Sequence, residues 1–206
     1  MSRRSWGTRV AAMTVRRLVR HEACALASLG RWLRSTPHGV RPGDLAAAYT
    51  GGQAVTMCGL LFVMVIETVS LALLIPWPVV HWVILVLDLY GIVLLLALHA
   101  ACVTRPHVVT PDGSLRLRHG VLFDLAVPPD TVASVRVERR YPDGRMVTLS
   151  EDGVLDLIVG DQTSVTLELN RPLSFTRPLG ARARAHIVRF HADDPRALVR
   201  ALRQRA

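Results

Sequence analysis

Two apolar segments of membrane-crossing length meet at Pro76-Trp77-Pro78. Residues 55–75 and 79–103 each approach or exceed the roughly twenty residues that a spanning helix needs. The short Pro-Trp-Pro turn forces them to run antiparallel, as a transmembrane hairpin. Trp77 and Trp82 suit one membrane–water interface, as aromatic belts do. Arg41 precedes the first segment and Arg105 follows the second. By the positive-inside rule this predicts a multi-pass protein of the inner or plasma membrane, both termini cytoplasmic and the turn outside.

Each segment carries an acid. Glu67 lies ten residues before Trp77 and Asp88 eleven after it. At about 1.5 Å per residue, both carboxylates sit roughly 15 Å from the turn. Charge in hydrocarbon costs several kcal/mol, so these residues need a reason. Helical spacing gathers Gln53, Thr56, Leu60, Val63, Glu67 and Ser70 on one line of the first helix. His81, Ile84, Asp88, Gly91, Leu95 and His99 gather on one line of the second. Lipid cannot satisfy polar groups, so the two seams are expected to face each other, with a proton shared between the acids. Three readings compete. The seam is packing glue, within the hairpin or across a homo-oligomer; it is a proton- or cation-linked site using Glu67, Asp88 and His99; or it meets a partner protein's transmembrane cation.

Residues 1–43 form a separate basic region. All 25 cationic residues of the chain are arginines, and nine of them fall before residue 46 against Glu22 and Asp44. At about 100° per residue, Ala11, Val15, Leu18, Ala25, Leu26, Leu29 and Leu33 fall on one side. Arg9, Arg16, Arg17, Arg20, Arg31 and Arg34 cluster on the other. This basic amphipathic pattern predicts a helix, with a break near Ser28-Leu29-Gly30, lying on an anionic leaflet with those arginines as lipid contacts. The competing reading packs it on the protein's own domain. No folded reading motif accompanies the charge, which argues against nucleic acid. After a Pro/Gly linker, Asp44 is expected to cap a helix entering the membrane through Leu45-Ala46-Ala47-Ala48. Residues 44–103 then form the hairpin unit.

From residue 104 the period changes to two. Leu115 and Leu117 alternate with Arg116 and Arg118, and Val135 and Val137 with Arg136 and Glu138. Val121–Val127, Met146–Leu149, Val154–Val159, Ser164–Leu169 and Arg184–Phe190 are further expected strands. Pro-Asp-Gly at 111–113 and 142–144, Glu-Asp-Gly at 151–153 and Gly-Asp at 160–161 supply turns. Asp194 and Pro195 start a closing helix with Leu198 and Leu202 on one face. Seven or so short strands and one helix predict a small antiparallel barrel or sandwich at 104–206, soluble as an isolated fragment.

The run from Val109 through Pro111-Asp112-Gly113, Leu115-Arg116-Leu117-Arg118 and His119-Gly120, then Val132-Ala133-Ser134-Val135, resembles the bacterial pleckstrin-homology-like membrane proteins. Ile187-Val188-Arg189-Phe190, Asp193-Asp194-Pro195 and Leu198-Val199 extend that resemblance. It spans about residues 55–206 and implies an α+β membrane protein: a two-helix hairpin, then a PH-like β-domain with a C-terminal helix acting as a tethered interaction module. No catalytic or ligand residue comes with it.

Catalytic signatures are missing from the sequence. There is no Gly-x-Ser-x-Gly elbow, P-loop or dinucleotide fingerprint. Cys24, Cys58 and Cys102 have no metal-ligand spacing, and His107, His119 and His186 are scattered. His191-Ala192-Asp193-Asp194 looks like a fragment of a metal site, but starting a helix is sufficient work for its acids. Arg177, Arg182, Arg184 and Arg189 either meet lipid phosphates or edge a solvated strand. The expectation is a non-enzymatic membrane protein without cofactor or metal. Its partners are anionic lipids and an unidentified membrane or cytoplasmic protein. The alternative is a small oligomeric proton- or cation-linked transport component built on Glu67 and Asp88.

Overall fold

The computed structural model describes residues 3–177 and 181–205, with side chains from residue 16 onward except Arg17. Helix α1 spans Arg3–Leu33, strand β1 Leu45–Ala47, helix α2 Gly51–Leu74 and helix α3 Pro78–Val103. Strands follow at β2 His107–Val109, β3 Leu115–His119, β4 Phe123–Val127, β5 Val132–Arg140, β6 Val147–Leu149, β7 Val154–Leu157, β8 Thr163–Thr176 and β9 Arg182–Phe190. Helix α4, Pro195–Arg205, ends the described chain.

The structure is α+β, and α2 and α3 are long and apolar enough to cross a membrane. Pro78 opens α3, where a missing N–H costs nothing. Apolar side chains along both helices stay uncovered, among them Phe62, Leu73, Leu74, Val79 and Val86. Such a wide exposed apolar surface marks a contact with lipid or protein. Only the last turns of α3 are buried, at Ala97, Ala100, Ala101 and Cys102, where the sheets begin.

Two sheets share one core. The first has the order β1-β2-β3-β4, all antiparallel; the second has the order β5-β8-β9-β7-β6. Leu115, Leu117, Leu125 and Val127 from the first meet Leu155, Val165, Leu167, Val188 and Phe190 from the second. Leu198, Val199 and Leu202 of α4 complete that cluster. Asp194 caps α4, accepting from the Ala197 N–H at 2.9 Å. Gly113, at φ +83°, turns β2 into β3; a Cβ there would fall 2.5 Å from the Arg205 carbonyl oxygen.

Five features differ from the sequence reading. Leu45–Ala47 is a strand rather than the start of a spanning helix, paired antiparallel with His107–Val109. Asp44 therefore does not cap α2; it accepts from the Arg41 N–H at 2.7 Å in the linker turn. The hairpin is thus an excursion between two neighbouring strands, with both feet rooted in one sheet. The second sheet is mixed rather than antiparallel, because β7 runs parallel to β9. Helix α1 continues unbroken through Ser28-Leu29-Gly30 to Leu33. It also packs along α3 instead of lying apart from it. Tyr90 donates to Glu22, and the rings of Trp32 and His99 meet edge-on at 6.0 Å, so α1 and α3 run parallel. Ala25 and Ser28, fully buried, permit the close approach.

Candidate functional site

The expected seam does not close. On α2 the covered residues are Gln53, Ala54, Met57, Leu61, Met64, Thr68, Leu71 and Ala72, a stripe at helical spacing. Thr56, Glu67 and Ser70 are exposed and face away from it. On α3, His81, Asp88 and His99 are half-buried, as the sequence line required. Gly91 lies against Met64: a Cβ on Gly91 would stand 2.9 Å from the Met64 Cε. No hydrogen bond joins Glu67 to Asp88 among the described residues, and one Asp88 carboxylate oxygen is buried without a partner. Helical spacing fixes angles within a helix, not which angle meets the neighbour. Here α2 is turned by about one residue, roughly 100°, from the expected orientation.

Chemistry concentrates instead at the feet of the hairpin. Tyr49, just before α2, is fully buried. Its ring stacks on His107 at 4.6 Å and on His119 at 5.8 Å, and its hydroxyl accepts from the Gly120 N–H at 2.9 Å. Burial first, then the adjacent Cys102, pushes the Tyr49 hydroxyl well above its ordinary range. His107 accepts at Nδ1 from the Arg118 N–H (3.1 Å), which assigns the proton to Nε2, donating to the His191 carbonyl (3.0 Å). Burial pushes its pKa down to about 3, only partly opposed by that carbonyl. His107 and His119 are thus buried framework residues, and His186 is exposed.

The His191–Asp194 stretch divides its work. Asp194 starts α4, whereas Asp193 starts α2 from 142 residues away. Both its carboxylate oxygens accept from the Gly51 N–H, at 3.0 and 3.1 Å, and its own N–H donates to the Ala48 carbonyl at 2.9 Å. A carboxylate at a helix N-terminus satisfies an orphan donor and opposes the positive end of the dipole. His191 Nε2 lies 3.5 Å from the same carboxylate. No group of three or more metal-ligand side chains occurs among the described residues.

Beside the other foot is a cavity of about 520 Å³. Arg20, His21 and Cys24 of α1, His38 of the linker, Arg105, Arg118, the Gly120–Asp124 turn, Thr176 and Arg177 line it. The Arg118 side chain is 2% exposed and donates to the His38 carbonyl at 2.7 Å. Asp124 is the one acid, and Arg116 already holds it through two bonds of 2.7 and 2.6 Å. Arg105 reaches the Gly120 carbonyl only at 3.5 Å, and its Nε is buried without a partner. Burial, followed by Arg105, Arg31, Arg118 and Arg116, lowers the His38 pKa. Four arginines therefore surround a space whose only carboxylate is already paired.

Of the arginines expected to touch lipid, Arg20 lines this cavity, Arg31 is half-buried, and Arg16 and Arg34 are exposed. Arg9 and Arg17 lie outside the described side chains. Arg177, from the basic stretch before β9, also reaches the cavity. Sequence reasoning did not find Arg105 or Arg118 as site residues. Their alternating pattern around Leu117 identifies a strand, but only the chain crossing of the linker brings His38 and α1 to them. No family model matches the chain, no curated protein matches it, and no solved structure matches it.

Proposed function

We propose that this is a non-enzymatic integral membrane protein that mounts a cytoplasmic β-domain against the leaflet for lipid or protein binding. One observation carries the reading: the apolar hairpin leaves one sheet at β1 and re-enters it at β2, both feet fixed, its sides uncovered. The mount is rigid. A domain held this way keeps one face toward the leaflet, and confinement raises its effective concentration for membrane-bound partners. Arg41 and Arg105 at the two feet favour the sheets and the C-terminus on the cytoplasmic side, with Pro76-Trp77-Pro78 outside.

Alkaline washing of membranes tests the reading. The chain should remain in the pellet, and Trp77→Cys should react with an impermeant maleimide from outside in intact cells. Release into the supernatant, or labelling of that site only after lysis, would overturn it. The transport reading has less support, since the structure leaves Glu67 on an outer face and joins it to neither Asp88 nor His99.

A further inference from the structure

We infer that the basic cavity between α1, the linker and the β3–β4 turn binds the phosphate-bearing headgroup of an anionic lipid, which rests on the membrane reading above. Charge is the first argument. Arg20, Arg105, Arg118 and Arg177 converge with His21 and His38, while Asp124 is occupied by Arg116. Arginine's planar fork is suited to phosphate oxygens, and Arg118 is already oriented by its bond to the His38 carbonyl. The second is size. About 520 Å³ is far more than a bare phosphate fills and falls in the range of pockets that take small organic ligands.

Position is the third argument. Arg105 in the wall follows the last residue of α3 by two positions, and Gly120 abuts Cys102 at the buried end of the same helix. The cavity therefore lies where the apolar helix meets the polar domain, the depth at which headgroups sit. Its wall is mixed accordingly: Val121, Leu122 and Phe123 face the glycerol and first methylenes, and the arginines face the phosphate. Cys24, half-buried in the same wall, is a built-in reporter.

Full-length protein carrying Cys58→Ser is reconstituted in nanodiscs of phosphatidylcholine alone or with phosphatidylglycerol, and maleimide alkylation of Cys24 is followed by mass spectrometry. Phosphatidylglycerol should slow that alkylation. Arg20→Gln and Arg177→Gln, neither of whose side chains is hydrogen-bonded among the described residues, should each raise the anionic lipid needed for half protection about tenfold. Arg200→Gln, which removes the same charge from the exposed face of α4, should not. Equal Cys24 reactivity in both discs, or an equal loss in all three variants, overturns the cavity. Protection by inorganic phosphate in neutral discs, with none from phosphatidylglycerol, overturns the lipid source. A chain that fails to enter the disc fails the membrane reading instead, so the two failures are distinct.

Discussion

Asp193 shows how much one carboxylate can do when the backbone aims it. It closes the N-terminus of α2 through both oxygens, and no residue of the hairpin supplies that cap: Thr50, at the position before α2, makes no side-chain bond there. Asp193→Ala should cost about 0.5–2 kcal/mol, read as a lower melting temperature in detergent, while Asp193→Asn should recover part of it. A melting temperature unchanged by Asp193→Ala would show that the cap contributes nothing. His107 supports a prediction about pH. Its folded pKa of about 3 lies below the ordinary 6.5, so the unfolded chain takes up the proton first as pH falls. Its contribution is complete above about pH 6.5 and is lost toward pH 3, by up to roughly 1.4 kcal/mol per pH unit. Burial lowers His119 and His191 in the same direction and steepens the loss. Thermal melts across that window check it; a flat profile would contradict a buried neutral imidazole.

Among elements, β1 alters what counts as the β-domain. A fragment of residues 104–206 lacks β1 and Tyr49, so it bares the edge of β2 and removes the ring that stacks on His107 and His119. That fragment should aggregate on size-exclusion chromatography; a monodisperse peak would show that β1 is dispensable. Gly91 governs the hairpin. Gly91→Val forces Met64 aside and should destabilise the α2–α3 pair by about 1–3 kcal/mol, whereas Gly91→Ala needs only a small shift of the flexible Met64 end. Melting the two variants side by side tests that ranking.

The sequence was readable where a repeat met a boundary. Strands β3 and β4 and helix α4 emerge from Leu115/Leu117, Leu125/Val127 and Leu198/Leu202, because one side of each element is buried. The hairpin spans followed from length alone. Strands β1 and β2, three residues each, are too short to alternate, and Leu45-Ala46-Ala47 has as good a claim to helix as to strand. The orientation of α2 was not legible, since Glu67 and Ser70 stand on the outer face and Met64 on the inner. The cavity stayed hidden for a different reason: its arginines come from four separate stretches, and only tertiary contacts assemble them.

At the scale of the whole molecule, the rooted hairpin predicts how motion is distributed. If the sheets are rigidly mounted, whichever of the Ala46 and Ala47 amides donates into β2 should exchange as slowly as those of Leu115 and Leu117 in native-state hydrogen exchange. Fast exchange across residues 45–49 would mean that the domain swings on its anchor. All 25 arginines lie outside the apolar spans and the chain's net charge is +9, so on the proposed reading attraction to anionic leaflets should weaken as salt rises while the hairpin stays in place.

The reach of Asp193 back to Gly51 also sets an order of events during synthesis. The chain emerges N-terminus first, so β1 appears before the hairpin and its neighbour β2 only after it. The residue that closes α2 comes 142 positions later. On the proposed membrane reading, the hairpin would partition into the bilayer with its first turn still open, and β9 must be in place before the loop holding Asp193 can come to rest. A nascent chain arrested before residue 193 would hold an inserted hairpin whose foot is still unlatched.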